Sequence, residues 1–315
     1  MRLTLAALLA LVVAAAAHAE DKHYKITYIQ GVTGNPFYTT VSCGAAEAAK
    51  RLGVTFDSQG AQQYNPALQL RVLNAVIASQ PDGIMFSMTD PVALTPTLVE
   101  AKGRGIKIMA IDGDIADKSV MIANIQSNNV EGGRLIGEAL AKLIDGKGKV
   151  LAITNTPASP IAKQRIQGFE EALAKYPGIG FLGTQYSNNQ TAKAASIVTA
   201  TLAANPDLNG VFGVTTNNTE GAATGVREAQ MEGKIRVVGF DTSDPIVEAI
   251  RKGVVSADVV QYPYRVGQLG LEMMVDALNG KTVQREVNTP FVVATPQNID
   301  TPEVQKFVYK TSCSS

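Results

Sequence analysis

The sequence predicts an α/β protein made of two doubly wound, Rossmann-like lobes with parallel sheets, and three observations carry that prediction. Short β-rich runs bounded by turn residues alternate with helical patterns from Tyr24 onward. The same rhythm restarts after Asn128. Residues 20–315 are also more than one hydrophobic core usually serves, so two lobes of roughly 130 to 150 residues each are expected.

The elements follow in order. Tyr24 to Gln30 reads as a strand, and the turn from Gly31 to Pro36 leads into a helix from Phe37 to Leu52. Val54 to Ser58 is the next strand. A helix from Asn65 to Ser79 carries Leu68, Val72, Leu73, Val76 and Ile77 on one face at helical spacing. Strand Gly83 to Phe86, helix Pro91 to Lys102 and strand Lys107 to Ile111 complete a run of βαβ units, and Val120 to Asn124 reads as a short further strand.

The second half repeats the pattern. Helix Val130 to Ile144 is followed by strand Lys149 to Ile153, helix Ala162 to Lys175, strand Gly180 to Tyr186 and helix Thr191 to Ala204. Strand Gly210 to Val214, helix Thr219 to Met231 and strand Arg236 to Phe240 continue it. Helix Pro245 to Lys252, strand Ala257 to Val260, helix Tyr264 to Leu278 and a last strand Pro290 to Ala294 remain over, so the chain is expected to cross between lobes more than once. Nothing between Ile111 and Asn128 resembles a Pro-rich or Gly/Ser-rich linker, which predicts tight hinge segments.

The ends and the composition bound the function. Met1-Arg2, an apolar run from Leu3 to Ala17 and the box Ala17-His18-Ala19 read as a secretory signal peptide over residues 1–19. The run is too short for a spanning helix, and Glu20-Asp21-Lys22 follow it directly. The 28 basic and 28 acidic residues supply no field for nucleic acid or acidic lipid. With His18 in the leader, only His23 is left, which argues against a histidine-ligated metal or a Ser-His-Asp triad; neither a metal nor a cofactor is expected. Cys43 and Cys313 form an even pair in an exported chain, so a disulfide stapling the tail is expected.

Ligands of open α/β sheets bind beyond the carboxyl ends of strands. The loops there are polar: Asn35-Pro36-Phe37-Tyr38, Ser87-Met88-Thr89-Asp90 and Asp112-Gly113-Asp114 in the first half. Thr154-Asn155, Ser187-Asn188-Asn189, Thr215-Thr216-Asn217-Asn218, Asp241-Thr242-Ser243 and Gln261 occupy the second. Asp, Asn and Gln can pair with hydroxyls that both donate and accept, and an aromatic face packs the CH side of a sugar ring. Phe37 and Tyr38 are the expected platform. Ser87, Asp112, Asn189, Thr215, Asn217 and Asp241 are candidate polar contacts, although such residues also cap helices and form turns. Arg165 reads equally as a solvated helix position or a ligand contact. Gly31-x-x-Gly34 is not a dinucleotide fingerprint, and no phosphate-binding loop is present.

Asn35-Pro36-Phe37-Tyr38, Thr89-Asp90, Ile111-Asp112, Ser127-Asn128-Asn129 with Gly132-Gly133, Arg165-x-x-Gly168-Phe169, Val238-Gly239-Phe240-Asp241 and Gln261 occur in this order. In carrying them the chain resembles type I periplasmic binding proteins of the ribose, galactose and galactofuranose kind, the extracytoplasmic receptors of ABC sugar importers. The resemblance implies a three-segment hinge near Ser127, Gln261 and the stretch before Pro290. It divides the chain into a first lobe (20–127 with 262–289), a second lobe (128–261 with 290–298) and a tail (299–315) packing back on the first lobe near Cys43. It also implies that Asn35, Phe37 and Tyr38 touch the sugar, that Asp112 accepts and Arg165 donates, and that Phe240, Asp241 and Gln261 complete the site.

Gly113 stands where ribose-type receptors place an arginine, Thr215-Thr216 where they place an Asn-Asp pair, and Ser87 replaces a frequent asparagine. These departures argue against ribose and leave another pentose, a hexose, a furanose or a polyol. The implied protein is a periplasmic, monomeric, non-enzymatic solute-binding protein that meets the membrane only through an ABC permease. A receptor for a sugar-like signalling molecule, a chemoreceptor ligand sensor and a sugar-processing enzyme are the alternatives. Substituting Asp112 or Asp241 by Ala is expected to abolish binding and to leave the unliganded fold nearly unchanged.

Overall fold

The computed structural model describes residues 23–313, so the leader assigned to residues 1–19 lies outside the described residues. The first lobe begins with β1 (Lys25–Gln30), α1 (Pro36–Leu52), β2 (Thr55–Gly60), α2 (Pro66–Ala78), β3 (Gly83–Phe86), α3 (Pro91–Gly103), β4 (Lys107–Ile111) and β5 (Met121–Ser127). The chain then crosses into α4 (Asn129–Leu143), β6 (Lys147–Thr154), α5 (Pro160–Leu173), β7 (Gly178–Tyr186), α6 (Thr191–Ala204), β8 (Leu208–Gly213), α7 (Thr216–Glu228), β9 (Arg236–Phe240), α8 (Asp244–Arg251) and β10 (Val255–Gln261). It returns through α9 (Pro263–Leu278) and β11 (Glu286–Thr289), crosses again into β12 (Phe291–Ala294), and ends with α10 (Pro302–Gln305).

Two six-stranded sheets result, ordered β11-β5-β4-β3-β1-β2 and β12-β10-β9-β8-β6-β7. β11 runs parallel to β5, but β12 runs antiparallel to β10, so the second sheet is parallel except at that edge. Three chain segments join the lobes, after Ser127, after Gln261 and between Thr289 and Phe291. The Ser127 and Thr289 hydroxyls lie 3.2 Å apart and tie two of these segments together.

Local sequence explains most helix starts. Asn35, Asn65, Asp90 and Ser159 each cap a helix through the side chain, and a proline follows at once. The cap satisfies an orphan amide, and proline's fixed φ suits a first turn that needs no N–H. These strands thus lead through a polar cap into their helices, which concentrates Asn, Asp and Ser at the strand ends that face the other lobe.

The two lobes repeat one packing device. A Cβ on Gly44 of α1 would lie 1.9 Å from the Tyr264 carbonyl oxygen of α9, and one on Gly267 would lie 1.9 Å from that of Val41. In the second lobe, Cβ atoms on Gly133 of α4 and Gly168 of α5 would meet the carbonyl oxygens of Arg165 and Val130 at 1.9 and 1.8 Å. Each helix pair therefore crosses backbone against backbone, a distance that only glycine permits. In the second lobe this close approach seats the Arg165 turn against α4.

The tail does not pack on the first lobe alone. Asp300 accepts from Arg251 of α8 (2.9 and 2.6 Å), whereas Cys313 is bonded to Cys43 of α1, with the Cα atoms 5.2 Å apart. No helix among the described residues is long and apolar enough to cross a membrane.

Candidate functional site

Asp112 and Asp241 occupy matching places. Each follows a strand, β4 and β9 respectively, and each has a left-handed backbone (φ 50° and 76°). The Asp112 amide donates to the Ile125 carbonyl of β5 (2.9 Å), and the Asp241 amide to the Val259 carbonyl of β10 (2.8 Å). A positive φ costs of order 1 kcal/mol outside glycine and is held here by the strand pairing on either side. Both carboxylates consequently turn off the sheet ends into the space between the lobes.

Their surroundings differ. Asp241 is held at both oxygens: Oδ2 accepts from Arg165 Nη1 (3.1 Å), and Oδ1 accepts from Gln261 Nε2 (2.8 Å) and the Tyr309 hydroxyl (2.5 Å). Arg165 is 2 % exposed. Its Nε donates to Asn129 (2.9 Å), its Nη1 also donates to the Val214 carbonyl (2.9 Å), and its guanidinium carbon stands 3.6 Å from the centroid of Phe240. Nη2 makes no hydrogen bond among the described residues and is free to donate to a ligand. Of the two readings of Arg165, the solvated one is ruled out.

Asp112, by contrast, is buried with Oδ1 unpartnered. Burial pushes its carboxyl up to about 7 against the opposing pull of Arg165, and the Asp241 charge adds to the rise. A buried carboxyl without donors calls for donors from a ligand.

Of the residues singled out from the sequence, Asn35, Phe37, Tyr38, Asp112, Arg165, Asn189, Thr215 and Asp241 line one partly open cavity of about 60 Å³ between the lobes. Asn35 combines both readings of its type, because its Oδ1 caps α1 through the Phe37 amide (2.9 Å) while its amide nitrogen stays available. Three residues lie elsewhere. Ser87 is buried behind the cavity, donating to the Ile111 carbonyl and 2.8 Å from the Tyr28 hydroxyl. Gln261 acts through Asp241. Asn217 holds the Asn189 carbonyl (3.0 Å) and faces an outer vestibule of about 560 Å³.

The aromatic platform also needs correction: the Phe37 and Tyr38 rings stand at 87° to one another with centroids 5.4 Å apart, so a flat ligand stacks on one and meets the edge of the other.

Sequence reasoning passed over Tyr64, Asn155 and Ser159 on the cavity wall. Tyr64 sits in the loop after β2, and applying the strand-end rule to that loop would have found it. Asn155 and Ser159 are in the loop after β6, which was recognised as polar without being assigned a role. Tyr309 carries no strand-end signal.

A family model described as "Periplasmic binding protein domain" matches residues 26–282. A crystal structure of an ABC transporter solute-binding protein from Agrobacterium vitis, bound with α-D-tagatopyranose, is similar at 36% identity with a TM-score of 0.89, over 91% of this chain and 99% of that one. A carbohydrate transporter solute-binding protein from Agrobacterium radiobacter, in complex with D-arabinose, is similar at 29% identity and a TM-score of 0.87, over 91% and 99% of the two chains. Among curated relatives, the ribose import binding protein of Salmonella typhimurium is 29% identical over 277 residues, 86% of this chain and 90% of that protein.

Proposed function

The chain belongs to the periplasmic binding protein domain family, and on that premise we propose that it captures a monosaccharide between its lobes and hands it to the permease of an ABC importer. The observation that carries this reading is the convergence of Asp112, Arg165 and Asp241 from opposite lobes on one cavity, with donor and acceptor capacity left over. Asn35, Tyr38, Tyr64, Asn155 and Asn189 offer further hydroxyl partners, and one aromatic face packs the ring. Closure about the three hinge segments sequesters the sugar, and affinity follows from contacts made to both lobes only in the closed form.

Residues 23–127 with 262–289 act as the first lobe, and residues 128–261 with 290–308 as the second. The protein works as a periplasmic monomer. We read it as a binding protein that performs no chemistry on its cargo, in keeping with its family of solute-binding proteins.

We read the site as preferring a hexose to ribose. A Cβ on Gly113 would meet nothing nearer than Ile161 Cδ1 at 4.0 Å, so the position where ribose-type receptors hold an arginine is open here. The sugars seen on similar proteins, tagatose above all, define the panel. Calorimetric titration with D-tagatose, D-allose, D-fucose, D-arabinose and D-ribose is expected to rank a hexose first, with scattering showing a smaller radius of gyration on binding. Absence of heat with every sugar, or a scattering curve unmoved by saturation, would refute the proposal.

A further inference from the structure

The last fifteen described residues, 299–313, make contacts that two lobes and three hinge segments do not require. Up to Val308 the tail belongs to the second lobe: Ile299 and Val304 are buried and α10 lies beside β12. At Tyr309, which is 3 % exposed, it changes sides. The Tyr309 amide donates to Thr242 Oγ1 (3.1 Å) and its hydroxyl to Asp241 Oδ1 (2.5 Å), both in the second lobe. Its ring meets Phe37 of the first lobe edge-on with centroids 5.7 Å apart, and the Lys310 amide donates to Thr40 Oγ1 (2.6 Å). Cys313 then fastens the end to Cys43 of α1.

We infer that the tail is a fourth connection between the lobes, made permanent by the disulfide, and that Tyr309 is a positioning residue that holds Asp241 toward the ligand only when the cleft is closed. The inference rests on the sugar-binding reading of that cleft. The disulfide fixes one end of the strap to the first lobe and β12 fixes the other to the second, so opening must break contacts at Tyr309, and the pair of hydrogen bonds to Asp241 and Thr242 is the one inferred to yield. Opening therefore strips one of three donors from Asp241, and closure restores it. A contact present only in the closed form raises the closed population and with it the apparent affinity. Tyr309 does this without lining the cavity itself.

The test uses the oxidised full chain with D-tagatose and D-arabinose as probes. Tyr309→Phe keeps the ring on Phe37 and removes the hydroxyl. It is expected to weaken binding about tenfold or more, as for loss of a hydrogen bond to a charged group, with little change in the unliganded melt. Because Tyr309 acts through Asp241, Tyr309→Phe adds less than its single effect on affinity in an Asp241→Asn background, whereas a merely structural residue would lower the unliganded melt along with the affinity. The Cys43→Ala/Cys313→Ala pair is expected to enlarge the unliganded radius of gyration. A Tyr309→Phe affinity within twofold of wild type, or an additive cycle, overturns the positioning role. If wild type binds neither sugar, the cleft reading has failed, and the strap stands or falls on the ligand-free scattering: an unchanged radius in the cysteine pair variant overturns it.

Discussion

Asp112→Asn is the most informative single change, because the site residue is also a fault in the unliganded fold. Burial has moved the carboxyl from its ordinary value of 3.8 to about 7, with Oδ1 unpartnered. The folded chain keeps a proton that the unfolded chain gives up, so stability from this group is greatest at acid pH. It is lost as pH rises from about 4 to about 7, and is level above that. The gap corresponds to about 4 kcal/mol at 1.36 kcal/mol per pH unit, and for a chain of this size about 2 °C in Tm accompanies each kcal/mol.

Asparagine keeps the shape and does not titrate. Melting curves of wild type and Asp112→Asn between pH 4.5 and 8 should therefore diverge by several degrees, with the variant gaining as pH rises, while its sugar affinity falls at least tenfold through loss of a charged acceptor. In wild type, affinity should rise over the same window, because sugar hydroxyls donate best to the ionised carboxylate. Parallel melting profiles for the two proteins would show that Asp112 is not a proton-holding buried acid and would refute the reasoning.

Two further changes test the frame of the site. Arg165→Ala leaves Asp241 without its counter-ion in a buried setting, and should cost about 3–5 kcal/mol of unliganded stability in urea unfolding as well as abolishing binding; a stability loss under 1 kcal/mol would contradict the geometry. By the same pairing, Asp241→Ala is expected to destabilise the unliganded fold rather than spare it, because Arg165 keeps its Asn129 and Val214 bonds but loses its ion-pair partner. Gly168→Ala drives a methyl into the Val130 carbonyl, should destabilise by about 1–3 kcal/mol, and should weaken binding by shifting the Arg165 turn; an unchanged urea midpoint would show that the helices separate freely.

Much of the architecture was legible locally. Strands such as Gly83–Phe86, Lys107–Ile111 and Arg236–Phe240 stand where β-rich apolar runs bounded by turn residues put them, and α6 begins and ends as its helical spacing predicts. The start of α7 was read three residues late, because Thr216-Asn217-Asn218 looked like loop and is in fact a polar first turn. β11 is not legible in the sequence because Glu286–Thr289 forms no apolar run; it is a strand only because β5 offers it an edge. The antiparallel direction of β12 likewise follows from the path of the chain across the hinge.

The site divides along the same line. Sequence alone determined that Asn35, Asp112 and Asp241 stand at strand ends, since strand period and cap chemistry act over a few residues and need no partner. Only the tertiary structure decided that Arg165 is buried against Phe240, that Ser87 lies behind the cavity, and that Phe37 and Tyr38 are perpendicular. It alone brought Tyr309 to Asp241 across 68 residues. Contacts of that kind arise from how lobes, helix crossings and a disulfide-tethered tail pack together, and no local pattern of residues encodes them.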